Sequence, residues 1–342
     1  MGDESFTYRD AGVDIDAGER AVSLMKAHVR ATYTPAVLAD LGTFGAMYAP
    51  DLTGFTTPVL VSSADGVGTK VKVAVAADRH DTVGQDLVNH CVNDILVQGA
   101  RALFFMDYYA VGALDPLIAA SVVEGLARAC KAVGCSLIGG ETAEMPDLYA
   151  PGDYDLAGFI VGIVDRDKII TGANIRPGDV VLGLASNGLH TNGYSLARKL
   201  VFEVAGLTVD SVLPFGPTVA DALLRVHRCY APSVHPLLAD GLVQGMAHIT
   251  GGGLPGNLVR SLPEGCRAAL QVSWPVPEIF TWLQGVGNVP RDDMFRTFNM
   301  GIGYTLMVRP ADADAVLARL TDAGEQVWRI GTIEAGTRGV SI

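Results

Sequence analysis

The sequence contains no apolar run close to the roughly 20 residues that a membrane-spanning helix needs, although 49% of its 342 residues are hydrophobic. Its first residues, Met1-Gly-Asp-Glu-Ser5, lack the basic and then apolar pattern of a secretory signal peptide. We therefore expect a cytoplasmic protein that has no membrane partner. The apolar side chains are numerous enough to form hydrophobic cores in about two domains.

Basic residues are also scarce, because 25 lysines and arginines face 37 acidic residues and leave a net charge of −12. A chain of this charge offers no general positive field to a polyanion, so we expect no nucleic-acid partner and a local site for any anionic ligand. Cysteines are few as well. The five cysteines have no C-x-x-C spacing, which indicates reduced and mostly buried thiols rather than a zinc site or a disulfide framework.

One stretch of the chain is typical of a polyphosphate site: Ser62-Ser-Ala-Asp-Gly-Val-Gly-Thr-Lys70, which follows a predicted strand at Pro58–Val61. A carboxylate in such a loop can bind a divalent cation, glycines let backbone N–H groups approach an anion, and a lysine neutralises phosphate charge. The stretch is not a Walker A motif, since Val71 follows the lysine. A glycine-rich hairpin turn with a surface lysine would look similar. The candidate residues are Asp65, Gly66, Gly68, Thr69 and Lys70.

The segments that follow predict a strand at Val71–Ala77 and an amphipathic helix over residues 84–98. The polar side of that helix carries Asp86, His90, Asn93 and Asp94. A solvated helix face, with a surface histidine, is the ordinary interpretation of such a pattern. The alternative is that Asp94 binds a metal ion.

A further acidic candidate follows a short predicted strand at Ser136–Ile138. Here Gly139 and Gly140 precede Glu141. Two glycines before an acid at a strand end are difficult to explain by packing, and they indicate backbone that lies close to a ligand. We expect the carboxylate to be exposed towards that ligand.

Beyond a charged, loop-like link at 165–179, a predicted strand at Val180–Ala185 leads into Ser186-Asn-Gly-Leu-His-Thr-Asn-Gly-Tyr-Ser195. A helix entry with many hydroxyls and amides can bind an anion, and His190 could act as an acid, a base or a hydrogen-bond donor. A helix cap with a spectator histidine is an equally good interpretation.

The triple glycine Gly251-Gly-Gly253 begins a second glycine-rich helix entry, which formally satisfies the G-x-G-x-x-G pattern. A dinucleotide fold also needs a second strand with an acid at its end about 20 residues further on. That feature is missing, so we reject nicotinamide binding and keep the prediction that these glycines bind an anion.

The order of predicted strands and helices indicates an α+β fold in two domains, residues 1–168 and 176–342, with a mixed or antiparallel sheet in the first. Three candidate acids, Asp65, Asp94 and Glu141, fall in the first half of the chain, and two glycine-rich helix entries fall in the second half. Carboxylates that lie beside nucleotide phosphates require bridging cations, normally Mg²⁺. The pattern therefore predicts a metal ion between the acids and a phosphate.

The most specific stretches are Asp10-Ala-Gly-Val-Asp-Ile-Asp-Ala-Gly18, Phe104-Phe-Met-Asp-Tyr-Tyr109 and Glu141-Thr-Ala-Glu-Met-Pro146. Together with Asp65–Lys70, His190–Ser195, Thr250–Gly253 and Arg296–Asn299, they resemble the family of phosphoribosylformylglycinamidine cyclo-ligases, also called aminoimidazole ribonucleotide synthetases. The resemblance runs nearly from end to end of the chain.

This resemblance implies an N-terminal mixed or antiparallel sheet domain that pairs in a homodimer and a C-terminal α/β sandwich domain. It also implies a magnesium-dependent reaction in which ATP drives ring closure of formylglycinamidine ribonucleotide to aminoimidazole ribonucleotide. The resemblance also implies roles for single residues. Mg²⁺ would be bound by Asp65, Asp94 and Glu141, and phosphates would be bound by Lys26, Lys70 and the glycines at 66, 68, 139, 140 and 251–253. Catalysis would depend on His190, Asn192 and Asp94.

Two other classes stay open at the level of sequence. A related ATP-dependent enzyme, such as a thiamine-monophosphate kinase or a selenophosphate synthetase, would share the acids. Selenophosphate synthesis usually brings a reactive Cys or Sec near the N-terminus, whereas the first cysteine here is Cys91. The second class is a non-catalytic nucleotide-binding dimer.

Overall fold

The computed structural model describes residues 6–342, which form two compact units. The first unit comprises the described residues up to Thr53 together with Ser62–Cys91 and Ala102–Val161. The second comprises Gly54–Val61, Val92–Arg101 and Gly162–Ile342. Both units mix helices and strands, so the predicted α+β class is confirmed. The domain boundaries at 168 and 176 stay a prediction.

The first sheet has four strands in the order β1-β4-β2-β3, and β2 and β3 run parallel. The strands are β1 (Pro58–Gly66), β2 (Arg101–Val111), β3 (Ser136–Glu144) and β4 (Tyr154–Asp165). The helices of this part of the chain are α1 (Ile15–Arg30), α2 (Val71–Ala76), α3 (Asp81–Leu96) and α4 (Pro116–Ala132).

Two long helices of the first unit begin at aspartate caps and pack against each other. The carboxylate of Asp14 accepts from two backbone N–H groups at the start of α1. Asp115 does the same for α4, where Pro116 occupies the first turn. Such caps satisfy N–H groups that have no partner within the helix. Each helix therefore begins directly after an aspartate whose side chain satisfies its first free N–H groups.

Three local predictions in the first unit were wrong. Val71–Ala77 is not a strand but helix α2, because burial of Val71, Val73 and Ala74 outweighs the strand preference of its valines. The supposed loop at 62–66 is the end of β1, and residues 139–144 belong to β3. The candidate acids in these stretches therefore sit on strands.

The second sheet has six strands in the order β10-β7-β9-β5-β8-β6. The strands are β5 (Val180–Ala185), β6 (Val243–His248), β7 (Cys266–Leu270), β8 (Ile302–Val308), β9 (Val327–Ala335) and β10 (Gly339–Ser341). All neighbouring pairs are antiparallel except β10 with β7. Strand β8 is buried along its whole length and forms the centre of this core.

The helices of the second unit are short. They are α5 (Tyr194–Arg198), α6 (Val219–Leu223), α7 (Ala231–Ala239), α8 (Gly253–Ser261), α9 (Glu278–Gly287), α10 (Arg291–Thr297) and α11 (Ala313–Asp322). The strand predicted at Val180–Ala185 is confirmed as β5. Within residues 6–342, none of the helices combines the length and apolarity that crossing a bilayer requires.

Candidate functional site

Asp65 lies near the end of β1 and is held by two contacts within the first unit. One carboxylate oxygen accepts from the backbone N–H of Gly66 at 2.7 Å. The other lies 2.7 Å from Nε2 of His90. The His90 side chain is only 4% exposed, so the interpretation as a surface histidine was wrong. Because 40% of the Asp65 side chain stays exposed, the carboxylate is oriented by the protein and still accessible.

Lys70 is fully buried and lies 2.8 Å from the equally buried carboxylate of Asp86. Burial lowers the pKa of the Lys70 ammonium, and the Asp86 charge opposes that shift. Asp86 and Asn93 are both 0% exposed, so the polar side of α3 is not the solvated face that its pattern suggested. A phosphate contact by Lys70 would require its ion pair to open.

The remaining residues of the candidate phosphate stretch form a tight turn between β1 and α2. Gly68 has φ +66°, a conformation that favours glycine, and a Cβ placed there would meet nothing within 4 Å. Thr69 is exposed, and Gly66 is half-buried. Thus Gly68 is required by the backbone conformation, and the open space beside it is compatible with a ligand.

Gly139, Gly140 and Glu141 lie on β3, where they line a cavity of 430 Å³. A Cβ on Gly140 would lie 2.3 Å from a carboxylate oxygen of Asp107, which is its partner in the β2–β3 register. Desolvation raises the pKa of Asp107 to about 7. The close approach at Gly140 is therefore to a protein carboxyl group, whereas we had expected a ligand.

Asp65 and Glu141 lie on opposite edge strands of the first sheet, because β4 and β2 separate β1 from β3. Three spacings of about 4.8 Å between neighbouring strands correspond to about 14 Å. Within one chain, this strand order keeps the two carboxylates apart.

The N-terminal arm is attached to β3 by Glu144, which also belongs to the Glu141–Pro146 stretch. One Glu144 oxygen accepts from the N–H of Asp14 at 2.7 Å, and the other accepts from the N–H of Leu114 at 2.6 Å. On α1, Nζ of Lys26 lies 3.6 Å from Asp40 and remains 40% exposed. The arm is thus held against the same strand that carries Glu141.

In the second unit, Asp94 is paired with His248. The two side chains meet at 2.8 Å between Asp94 Oδ1 and His248 Nδ1, and the Asp94 side chain remains 28% exposed. The neighbouring Asn93 donates to the carbonyl of Arg228 and accepts from the N–H of Tyr230. These two contacts fix the end of α3 within the unit and hold Asp94 in place.

His190 is buried and adopts φ +60°. Its Nε2 accepts from the backbone N–H of Asn187 at 3.1 Å. Its ring stacks on His227, with centroids 4.0 Å apart and planes inclined by 20°. Neither the histidine on which it stacks nor His248 was recognised from the sequence. The only available signal was that His248 comes shortly before the triple glycine.

Asn192 contains a polar group that the folded chain leaves unsatisfied. Its Nδ2 is buried and has no hydrogen-bond partner among residues 6–342. Such a donor is costly to bury and is rare unless a water molecule or a ligand satisfies it. A Cβ on Gly251 would lie 3.4 Å from the other amide atom, Oδ1. The amide therefore lies beside the triple glycine.

The triple glycine forms the turn into α8. Gly252 and Gly253 have φ +96° and +61°, and a Cβ on Gly253 would lie 1.8 Å from the carbonyl oxygen of Phe295. Asn257 holds the turn by donating to the carbonyls of Gly251 and Gly253. Packing thus accounts for Gly253, and Gly251 is the member that borders the unsatisfied amide.

Comparison with known proteins gives matches along nearly the whole chain. Two family models match, the N-terminal domain of AIR synthase related protein at residues 53–164 and its C-terminal domain at residues 176–342. A phosphoribosylformylglycinamidine cyclo-ligase from Geobacter sulfurreducens is 54% identical over 335 residues, which cover 97% of this chain and 96% of that protein. The same enzyme from Anaeromyxobacter dehalogenans is 55% identical over 336 residues, with 98% and 97% coverage.

Solved structures show the same fold at much lower identity. Hydrogenase maturation protein HypE in complex with ATP matches with a TM-score of 0.67 and 21% identity, covering 95% of this chain and 89% of that chain. A thiamine-monophosphate kinase from Stenotrophomonas maltophilia matches with a TM-score of 0.61 and 17% identity, with 93% and 95% coverage. Identity this low is evidence for a common fold alone, since one fold serves several functions.

Proposed function

The chain belongs to the phosphoribosylformylglycinamidine cyclo-ligase family, and we propose that its candidate residues bind ATP, Mg²⁺ and a ribonucleotide for the reaction of that family. The protein is an ATP-dependent ligase of purine biosynthesis. It closes the ring of formylglycinamidine ribonucleotide to give aminoimidazole ribonucleotide, ADP and phosphate.

The observation that carries this function is the 54% identity to curated cyclo-ligases over 97% of the chain. The fold alone would not distinguish a cyclo-ligase from a kinase, because a thiamine-monophosphate kinase shares the fold at 17% identity. The motifs left open two alternatives, a kinase and a non-catalytic nucleotide-binding module. The identity to cyclo-ligases favours neither of them.

The chemistry requires a better leaving group and a well-placed nitrogen. An amide-type oxygen leaves poorly, so ATP phosphorylates the formyl oxygen of the substrate and ADP departs. A nitrogen of the same molecule then attacks the activated carbon and expels phosphate. Because this attack is intramolecular, its entropic cost is small once the substrate is held in place. The protein's task is positioning and charge neutralisation, with no covalent nucleophile.

We assign the phosphate of the bound ribonucleotide or nucleotide to the turn at Gly251–Gly253. The buried Asn192 amide supports this assignment, because a phosphate oxygen would accept its unsatisfied N–H. The positive φ angles of Gly252 and Gly253 bring backbone close to the same turn. His190 lies two residues before Asn192, so it can orient the substrate or transfer a proton there.

The residues present suit magnesium, which prefers hard carboxylate oxygens. Asp65 and Asp94 are exposed enough to bind it, and each is oriented by a histidine within its own unit. Bound magnesium would neutralise the ATP phosphates and so ease transfer of the terminal phosphoryl group. Glu141 lies on the opposite edge strand from Asp65, so its part in the same site calls for a second copy of the chain.

A homodimer is supported by the exposed apolar side chains of the first sheet. Phe159 on β4 is 49% exposed and Met106 on β2 is 38% exposed. The outer strands β1 and β3 are the edges at which a sheet can pair with another chain. We propose that two chains pair through this sheet and that the enzyme works in the cytoplasm.

The test is to mix the purified protein with ATP, Mg²⁺ and formylglycinamidine ribonucleotide and to follow ADP release together with the mass of the product. Release of ADP that depends on the ribonucleotide, with loss of one water from its mass, supports ring closure. A product that gains phosphate instead would indicate a kinase. Chelation by EDTA should stop the reaction and Mg²⁺ should restore it; an unchanged rate in EDTA would refute the magnesium assignment.

A further inference from the structure

One short segment of the second unit, residues 295–299, supports both glycine-containing turns of the candidate site. The first turn lies at residues 192–193, and the second is Gly251–Gly253. A Cβ on Gly193 would lie 2.4 Å from the ring of Phe298. A Cβ on Gly253 would lie 1.8 Å from the carbonyl oxygen of Phe295. Because these distances leave no room for a side chain, the backbone of each turn packs directly on the segment.

The segment is itself anchored in the core. Phe298 is 1% exposed, and its ring packs on Phe280 with centroids 5.8 Å apart. The next residue, Asn299, donates to the carbonyl oxygen of Gly188 at 2.8 Å and accepts from the hydroxyl of Ser186 at 2.9 Å. Both of these partners belong to the loop that leads to the first turn. Packing and hydrogen bonds therefore fix the spacing between the two turns.

The first turn borders the second through the Asn192 amide. Its Oδ1 lies 3.4 Å from the position of a Cβ on Gly251, and its buried Nδ2 has no hydrogen-bond partner among residues 6–342. One phosphate group can accept from such an amide and from the backbone N–H groups of a glycine turn at the same time. The spacing between the turns thus decides whether both sets of donors reach the same phosphate.

Phe298 is the side chain on which that spacing depends. Gly193 adopts φ +78°, and two ring atoms of Phe298 lie within 2.5 Å of the position of its Cβ. A smaller side chain at residue 298 would leave space beneath the turn, and the neighbouring Asn192 amide could then move away from Gly251. Donors that are held in position before a ligand arrives bind it more tightly than mobile donors, because binding requires no further ordering.

We propose that Phe298 is a positioning residue for the phosphate site. Its ring holds the first turn at the distance from the second at which the Asn192 amide and the backbone of Gly251–Gly253 bind one phosphate group together. This inference rests on the proposed function, which assigns a phosphate of ATP or of the ribonucleotide to this place. The Phe298 ring is buried and acts through Asn192 without contacting the ligand.

The first test is a double-mutant cycle in the full-length enzyme, with KM measured separately for ATP and for formylglycinamidine ribonucleotide. We expect Asn192→Ala and Phe298→Leu each to raise one of the two KM values by about 10-fold, the worth of a hydrogen bond to a charged group. Added to Asn192→Ala, Phe298→Leu should change that KM by less than about twofold. The KM that rises identifies the molecule whose phosphate is bound. Fully additive effects, or equal rises in both KM values, would overturn the proposal.

Two glycine variants test the same contact and also serve if Phe298→Leu does not fold. Gly193→Ala pushes a methyl group against the Phe298 ring. Gly206→Ala, with φ +64° and nothing within 4 Å of the new methyl group, carries a similar backbone strain and is the matched control. We expect the same KM to rise by about 10-fold in Gly193→Ala and to stay within about twofold of the wild type in Gly206→Ala. Equal KM values in the two variants would contradict the proposal.

The third readout needs no turnover. The side-chain amide signals of Asn192, assigned by their absence in Asn192→Ala, are followed in ¹H–¹⁵N correlation spectra while inorganic phosphate is added. We expect saturable shifts in the wild type and a midpoint at about 10-fold higher phosphate in Phe298→Leu. No shift in the wild type, or equal midpoints, would overturn the inference. If the wild type lacked ring-closing activity, the proposed function would fail, whereas this titration would still test the phosphate site.

Discussion

The Lys70 ammonium and the Asp86 carboxylate form an ion pair at 2.8 Å in which both side chains are 0% exposed. Removing one member leaves an uncompensated buried charge, which typically costs about 3–5 kcal/mol. We therefore expect Asp86→Ala to lower the free energy of unfolding by about that amount. Urea unfolding followed by circular dichroism would measure it.

A double variant separates this structural role from phosphate binding. Lys70→Met with Asp86→Leu replaces both charges by apolar groups and should recover most of the lost stability. If Lys70 serves the fold through Asp86, the KM for ATP of the double variant stays near the wild-type value. A folded double variant with a much raised KM would show that Lys70 contacts the phosphates. Lys72→Met, which removes an exposed pair with Asp153, is the control and should cost less than about 1 kcal/mol.

The Asp94 carboxylate is proposed to bind magnesium, so Asp94→Asn should reduce kcat by about 100-fold or more while the protein remains folded. ADP release at saturating substrate measures the rate, and the thermal transition reports the fold. Asp322→Asn, at an exposed position at the end of α11, is the matched control and should leave the rate unchanged. Full activity of Asp94→Asn would exclude the metal assignment.

Asp107 should make stability depend on pH. Desolvation raises the pKa of its carboxyl from an ordinary value of 3.8 to about 7 in the folded protein. The folded state therefore binds more protons than the unfolded state within that interval, and stability falls as the pH rises through it. In Asp107→Asn this contribution disappears, so the variant should gain stability relative to the wild type between pH 5 and pH 8.

Urea titrations at pH 5 and pH 8 would measure the free energy of unfolding of the wild type and of Asp107→Asn. The exposed Asp167→Asn serves as the control. Parallel pH profiles for the wild type and Asp107→Asn would contradict the shifted pKa. The measurement concerns stability alone, so it is independent of any role of the adjacent cavity in binding ATP.

Glu144 fastens the N-terminal arm through the N–H groups of Asp14 and Leu114. A hydrogen bond to a charged group contributes about 1.5–3 kcal/mol, so Glu144→Ala should speed hydrogen exchange at these two amides by about 10-fold or more. Exchange followed by mass spectrometry would measure it. Glu19→Gln, at an exposed position on α1, should leave both amides protected. Unchanged exchange in Glu144→Ala would mean that other contacts hold the arm.

Local sequence was a good guide to element type, and it failed where two signals competed. The apolar period of α3 is a local feature, so the helix predicted over residues 84–98 lies close to the observed range Asp81–Leu96. The valines of α2 favour a strand, and only their burial against the rest of the unit turns them into a helix. The sequence predicts loops at residues 62–66 and 139–144, but the structure pairs both into strands β1 and β3, because strand pairing is non-local and a single sequence does not show it.

The sequence by itself determined the fold class and the family, and it singled out the candidate acids, glycines and amides, because residue type and spacing carry that information. The tertiary structure alone decided which of these residues meet. It buried Lys70 against Asp86, put Asp65 and Glu141 on opposite edge strands, and joined Asp94 to His248 across 154 positions of the chain. Such contacts depend on strand order and on competition for burial among the whole set of side chains, and local periodicity contains neither.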